Sequence, residues 1–386
     1  MYNLDRLRQE EFINSAEVIY FNNAGIAPLP YRTQQKVQSV IGELGRQPSG
    51  FWEKAALPAS INLQEKLARH INAASPTEIA FVTTTSAALN AVAQAIDWLP
   101  GDNILLCETE FPSNAYPWMS LVRDGVEVRL VPAFNGGMVL KEIESLVDDR
   151  TRLIATSSVQ FLSGHRTDLT AIGQFCRMRG ILFSVDAIQS IGHIPIDVQA
   201  MDIDILATGG QKSLPSLPGI GFLYVRQDLA ERMNPRQIGS NSTVDFFHWL
   251  AYDLAFLPGA ARFNSGTPNL PGIFSIEGSL ELLNELSLDA IDTHTTALSR
   301  YACEHLSSLD FQVVTPDDVC GPIVTFRSPL SNFETDQLVR NLAERQIVVV
   351  KHLDAAGNPH LRLSFHCYNT FEEIDRFIEV YESLAN

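Results

Sequence analysis

Residues 208–225 read TGGQKSLPSLPGIGFLYV, and their chemistry centres on one amine. Lys212 sits in a connector crowded with Gly209, Gly210, Pro215, Pro218, Gly219 and Gly221, between the apolar runs DIDILAT and IGFLYV. Both runs read as short buried strands bounded by breakers. A lysine there is either a solvated loop cation or an amine held beside a group that needs one. Three other stretches place reactive types at strand ends. Asp186 closes ILFSV, and Gln189 follows it in VDAIQ. Thr84, Thr85 and Ser86 lie between the strand EIAFVT and the helix-like AALNAVAQAI. Phe111 follows NILLC within ETEFPSN. An acid, an amide, a lysine, a hydroxyl-rich helix start and an aromatic ring on one sheet edge suit a phosphorylated, aromatic, aldehyde-bearing cofactor. The helix start offers amide N–H groups and positive dipole to a phosphate. The carboxylate keeps a ring nitrogen protonated, the aromatic stacks on the ring, and the amine forms an imine with the aldehyde.

Each feature alone has a plainer reading: a turn residue, an N-cap, a core ring, a solvated charge. Their coincidence depends on the elements that position them. From about residue 79 to 225, apolar runs alternate with amphipathic segments: EIAFVT, NILLC, VEVRLV, RLIATS, ILFSV, DILAT and GIGFLYV are the strands. This rhythm predicts an α/β fold with a mostly parallel seven-stranded sheet covered by helices. The connector around Lys212 is too short for a helical crossover, so GIGFLYV is expected to be the one antiparallel strand. Ligands of such sheets bind beyond the carboxyl ends of the strands. After about residue 260 the pattern changes to helices (PGIFSIEGSLELLNEL, IDTHTTALSRYACEHLSSL) and the strands GPIVTFR, QIVVVKH and HLRLSFH. A final helix opens with capping-box spacing at TFEE, residues 370–373. The reading is a large α/β domain over residues 16–260 and a smaller α+β C-terminal domain from 261–386, joined by a helix in 1–15.

Composition bounds the partners. The chain has 386 residues and a formal net charge of −17, a field that repels nucleic acid and anionic membrane. The cysteines, Cys107, Cys176, Cys303, Cys320 and Cys367, are scattered without a C-x-x-C pair. That disfavours structural zinc and a disulfide framework and fits a reduced cytoplasmic setting. The N-terminal stretch MYNLDRLRQEEF has no apolar signal core, and no run is long enough to span a membrane. No histidine spacing matches a metal site, and no nucleotide-binding glycine motif occurs. In LRLSFHC, alternation puts Arg362, Ser364 and His366 on one face and Leu363, Phe365 and Cys367 on the other. An arginine in so apolar a strand needs an anion: a carboxylate held bidentately, or a structural acidic partner. Cys367, on the opposite face, is then an inert core thiol.

The stretch SVDAIQSIGHIPIDVQAMDIDILATGGQKSLPSLPGIGFLYV resembles the signature region of class V pyridoxal-phosphate (PLP) enzymes of fold type I. That family includes cysteine desulfurases, selenocysteine lyases, kynureninase, isopenicillin-N epimerase and small aminotransferases. YFNNAGIAPLP resembles its N-terminal substrate loop, FVTTTSAALN its phosphate loop, RFNSGTPNLPG a stretch reaching a dimer partner's phosphate, and LRLSFHCYNTFEEID its carboxylate-arginine segment. The resemblance covers about residues 18–380. It implies pyridoxal 5′-phosphate as cofactor, bound by Lys212 as Schiff-base lysine, Asp186, Gln189, Thr85, Ser86, Phe111 and Gln211. It further implies a homodimer in which Thr267 serves the neighbouring site, and an amino-acid substrate held by Arg362 near Ala24 and Gly25. Three positions depart from the family pattern. Gly209 replaces a phosphate-binding serine, Gln211 a common histidine, and Phe161 a common asparagine, so the pocket at Phe161 should be more apolar.

The resemblance implies an external aldimine with the amino acid, and Lys212 as general base for its Cα proton. A desulfurase needs a mobile cysteine on the loop before the arginine. Here that stretch, KHLDAAGNPHL, has none, so no persulfide chemistry is expected. Transamination is the default reaction, with C–S lyase-type elimination as runner-up and epimerisation open. A non-catalytic phosphate-ligand-binding α/β protein is the rival from another class.

Overall fold

The structure is a computed structural model that describes residues 2–245 and 248–385. The first strand, β1 (Ile19–Tyr20), precedes the main sheet. That sheet is built from β2 (Ile79–Val82), β3 (Asn103–Cys107), β4 (Glu127–Val131), β5 (Thr151–Ser157), β6 (Leu182–Asp186), β7 (Ile205–Gly209) and β8 (Gly221–Val225). All of the seven expected strands are present, in the order β2-β8-β7-β6-β5-β3-β4. Strands β3, β7 and β8 are buried along their whole length, which is why they read as continuous apolar runs rather than alternating ones. Neighbouring pairs are parallel except those of β8, which runs antiparallel to both β2 and β7. The fold is therefore the fold type I arrangement that the sequence resembles.

Beyond residue 320, β9 (Ile323–Arg327), β10 (Ile347–Val348), β11 (Val350–Leu353) and β12 (Pro359–Ser364) complete the strands. The run QIVVVKH is not one strand. Ile347 and Val348 pair in parallel with Ile19 and Tyr20, while Val350–Leu353 pairs with β12 in a sheet of order β11-β12-β9. The run has two partners in two sheets, and it breaks at Val349 to serve both. One face of the three-stranded sheet packs Val324, Leu361 and Leu363 against Phe21, Leu298 and Phe377. The helix Leu4–Glu10 packs near the chain's other end: Arg8 donates to Glu373 (2.6 Å) and to the Tyr368 carbonyl (2.8 Å). The capping box at the last helix forms as its spacing predicts. The Glu373 amide donates to Thr370 Oγ1 (3.2 Å), and the Thr370 amide to Glu373 Oε2 (3.1 Å). The helix Leu270–Leu286 packs Ile273, Ile276, Leu280 and Leu283 into the core shared with Leu206 and Phe222.

The connector between β7 and β8 shows what its glycines do. Gly210 and Ile220 are hydrogen-bonded across the reversal, Gly210 N to Ile220 O at 2.8 Å. A Cβ at Gly221 would overlap the Thr208 carbonyl oxygen. Gly219, at φ +81°, occupies the left-handed region that glycine enters without penalty. Lys212 is held by its neighbours' backbones. The Gln211 carbonyl accepts from Ala27 N (2.9 Å), and Ser213 Oγ donates to the Ile188 carbonyl (2.9 Å). His366 Nε2 lies 3.2 Å from the Ser213 carbonyl.

Gly192 backs this anchor, and a Cβ there would overlap the Ser213 carbonyl oxygen. Gly192→Ala is expected to cost about 1–3 kcal/mol by overpacking, read as a lower denaturant midpoint at unchanged slope. Gly45→Ala is the control: it meets open space in the helix Tyr31–Arg46 and should stabilise by roughly 0.5–1 kcal/mol. Equal effects of the two substitutions would contradict the role assigned to Gly192.

Candidate active site

A cavity of about 420 Å³ opens at the carboxyl ends of β6 and β7, within the size range of small-molecule sites. Lys212, Asp186, Thr85, Ser86, Phe111, Gln211, Arg362, Ala24 and Gly25 line it. Two of the residues named from the sequence do not. Gln189 is buried behind the cavity, where its side-chain amide donates to the Ala24 carbonyl (3.1 Å). Thr267 lines a separate cavity of about 190 Å³ with Thr83, Gly219 and Ile220. A larger cavity, about 730 Å³, is walled by Phe12, Ile13, Tyr20 and Tyr31 and holds no lysine or arginine.

The register explains the central pair. β6 and β7 are parallel neighbours with Asp186 opposite Ala207, so the acid and the connector after β7 emerge side by side. Burial pushes the Asp186 carboxyl up to about 7, against the opposing pull of the Ile188 amide (3.0 Å) and the Lys212 charge. Burial draws the Lys212 ammonium down to about 8. Asp186 resists that fall and Arg362 adds to it. Lys212 Nζ stands 5.1 Å from the centre of the Phe111 ring, within cation–π range.

At one end of the cavity lies the start of the helix Thr85–Ala95. Thr84 caps it, accepting from Ala87 N (3.0 Å). Ser86 Oγ donates to Ser113 Oγ (2.8 Å), and Thr85 Oγ1 is buried with no hydrogen-bond partner among the described residues. At the other end, Arg362 Nη1 donates to the Phe161 carbonyl (2.8 Å), while its buried Nε has no such partner. Desolvation draws the guanidinium down to about 10. A buried donor left unpaired costs roughly 1–3 kcal/mol. The donor set therefore fits a ligand with a phosphate at one end and a carboxylate at the other. PLP joined to an amino acid is such a ligand, and Asp186 and Lys212 line the same cavity.

Sequence reasoning missed several contributors. Asn22, Ser113, Ile188, Val350 and His352 also line the cavity, as does Thr84 of the expected helix start. Glu110 lies just before Phe111 and accepts from Ser157 N (2.7 Å), Ser157 Oγ (2.6 Å) and Gln160 Nε2 (2.8 Å). It thereby ties the Phe111 loop to the end of β5. His352 would be visible only from the pairing of β11 with β12, a register that no local pattern encodes. Phe161, read as an apolar replacement, packs edge-on between Phe111 (5.1 Å) and His352 (5.8 Å). Cys367 does not take part in the alternation expected for LRLSFHC. β12 ends at Ser364, so alternation does not reach residue 367. Cys367 is nonetheless buried, within the core that holds Phe12 and Tyr368, and burial pushes its thiol up. All five cysteines are buried, and none lines the cavity.

The amine of Lys212 loses its proton at lower pH than a free lysine because burial disfavours the charged form. Without cofactor, its modification by a small amine-directed reagent should rise with pH about a midpoint near 8. At pH 7 about one amine in ten is then unprotonated, roughly a hundredfold or more above an ordinary lysine. Asp186→Asn should lower the midpoint further and Arg362→Gln should raise it. A midpoint near that of an ordinary lysine would refute the assignment.

Comparison with known proteins gives the family. Residues 19–377 match the Aminotransferase class-V family. A probable cysteine desulfurase of Methanothermobacter thermautotrophicus is 31% identical over 385 residues, covering 95% of this chain and 94% of that protein. Among solved structures, the apo cysteine desulfurase of Thermococcus onnurineus superposes with a TM-score of 0.88 at 24% identity, covering 100% and 98% of the two chains. The cystine C–S lyase C-DES, solved with its product cysteine persulfide, gives 0.87 at 23% identity, covering 97% and 99%. A mutant of C-DES has been solved with glycine covalently linked to its PLP cofactor. The two solved structures show the same fold, and the match over nearly the whole chain shows the rest: this protein belongs to the aminotransferase class-V family of PLP-dependent enzymes.

Proposed function

We propose that this enzyme cleaves a carbon–sulfur bond of a small amino acid by elimination, releasing the sulfur to solvent rather than to a protein cysteine. The observation that carries the reading is the composition of the cavity: a buried lysine, a buried arginine, and no thiol among its lining residues. The names of the relatives support carbon–sulfur chemistry over transamination, the default drawn from the sequence. The buried cysteines favour a lyase over a persulfide-forming desulfurase.

In this reading, Lys212, Asp186, Thr85, Ser86, Phe111 and Gln211 hold PLP, and Gln189 fixes the Ala24 wall beside it. PLP supplies the electron sink that weakens the bonds at the amino acid's Cα. The chain's own residues do the rest. Arg362 takes the substrate carboxylate through Nε and its remaining donors. Phe111, Phe161 and Val350 exclude water from the space between. Lys212, its proton affinity lowered by burial, takes the Cα proton at neutral pH. Asp186 holds a proton at the ring nitrogen. Departure of sulfur from Cβ then needs no nucleophile from the protein.

Incubation with cystine should yield pyruvate and ammonia catalytically, without an amino acceptor. Replacing each of the five cysteines singly with alanine should leave turnover within about twofold, while Lys212→Ala should remove about 10²–10⁴-fold. Stoichiometric keto acid, with the cofactor left in its amine form, would instead establish transamination. Loss of sulfide release from cysteine on mutating one cysteine would establish a desulfurase.

We further propose a homodimer with shared sites, in which Thr267 serves the partner's phosphate. Its exclusion from the cavity of its own chain supports this. Thr267→Ala should weaken cofactor binding. Mixed dimers of Thr267→Ala with Lys212→Ala should regain one working site of two, and a fully active monomer in ultracentrifugation would end the proposal.

A further inference from the structure

His352 lies outside every role assigned above, yet it faces the same cavity as Lys212 and Arg362. Its position follows from strand register. β11 and β12 are antiparallel, with Val350 opposite Arg362 and His352 opposite His360. Side chains two apart on a strand share a face. Val350, His352 and Arg362 therefore stand on one face, and His352 and Arg362 are diagonal neighbours within reach of each other. Lys351, between Val350 and His352, points to the other face, where it pairs with Asp336. Two side-chain atoms on the cavity face are buried without a partner among the described residues: His352 Nε2 and Arg362 Nε. The Phe161 ring packs edge-on against His352 and brings no donor of its own to this wall.

We propose that His352 is the second donor of a carboxylate clamp, acting with Arg362 on the α-carboxylate and restricting the substrate to amino acids with uncharged side chains. The proposal rests on the reading of Lys212 and Arg362 as an amino-acid site. Two donors on one sheet face, both unpaired, are completed together by one planar anion. The restriction follows from the charges present. His352 is kept neutral: burial is the main cause, and Arg362, Lys212 and His360 each add to it, drawing the imidazole down to about 4. Arg362 and Lys212 are then the cations lining the cavity. With Arg362 engaged by the α-carboxylate and Asp186 contributing negative charge beside Lys212, a second carboxylate on the substrate meets Phe111, Phe161, Ile188 and Val350 instead of a cation. Small neutral side chains, including sulfur-bearing ones, suit that wall.

The test separates binding from reaction. In the protein without cofactor, propionate should perturb the His352 imidazole nitrogen resonance on titration, and succinate should bind no tighter than propionate. In the cofactor-loaded protein, His352→Phe should weaken the dissociation constant for L-alanine, followed by the visible spectrum, by about five- to tenfold, the worth of one hydrogen bond. His352→Gln, which keeps a neutral donor, should recover most of that loss. His352→Arg should improve aspartate relative to alanine. An imidazole resonance indifferent to propionate, equal alanine affinity in His352→Phe and wild type, or succinate binding more than tenfold tighter than propionate would overturn the clamp. The propionate titration needs no turnover and is read on the unsubstituted protein. It stands or falls independently of whether carbon–sulfur elimination is the reaction and of whether any variant folds.

Discussion

Removing water from three ionisable side chains at once is the constraint from which the rest of the site follows. Lys212, Asp186 and Arg362 share one cavity, and burial is the largest influence on each of them. Each would be costly to bury alone. Together the acid and the amine offset part of each other's cost, yet burial still outweighs their attraction, so both are left close to the pH at which they exchange protons. An amine and an acid held in that condition suit chemistry near neutral pH. Arg362 is drawn down as well, but from a higher starting value to about 10, so it keeps its charge, as a residue that must hold an anion requires.

Keeping the amine in that setting requires a rigid mount. Lys212 is on a connector that would be mobile if left to its glycines. It is fixed instead by its neighbours' backbones: Gln211 to the N-terminal loop at Ala27, and Ser213 to Ile188 beyond β6, with His366 of the last third of the chain close behind. Three distant stretches of sequence thus converge on two peptide groups. The same stretches carry Ala24, Asp186 and Arg362. The hydrogen bonds that seat the lysine also set its distance from the groups it works with.

This division explains how much could be read from the sequence. Most strands of the main sheet were legible because burial leaves near-continuous apolar runs, the largely exposed β4 being the exception, and the antiparallel β8 because a short connector admits no crossover. Lys212, Asp186, Thr85 and Ser86 were legible because they lie at the ends of such strands. Residues whose place depends on pairing between distant segments were not legible. His352 faces the cavity through its register with β12, and QIVVVKH splits because two sheets compete for it. Gln189 has D-x-x-Q spacing from Asp186, but its amide goes to a backbone carbonyl more than a hundred and sixty positions away. Cys367 was placed in the core by an alternation that stops three residues before it.

The parallel pairing of β1 with β10 has a consequence for the timing of synthesis. Ile19 and Tyr20 are made more than three hundred residues before their partners Ile347 and Val348. Asn22 bridges to Ser364, the Ala24 amide donates to Ser364 Oγ, and Arg8 waits for Glu373. The seven-stranded sheet, by contrast, is complete once residue 225 has emerged, and a nascent chain can collapse around it. Throughout that interval the leading segment has neither its strand partner nor its capping contacts. The wall formed by Ala24 and Gly25 can meet Gln189 and Gln211 early, but it gains Ser364 only when β12 has been made, so until then the cavity beside the amine and the acid lacks Arg362 and the brace behind Ala24.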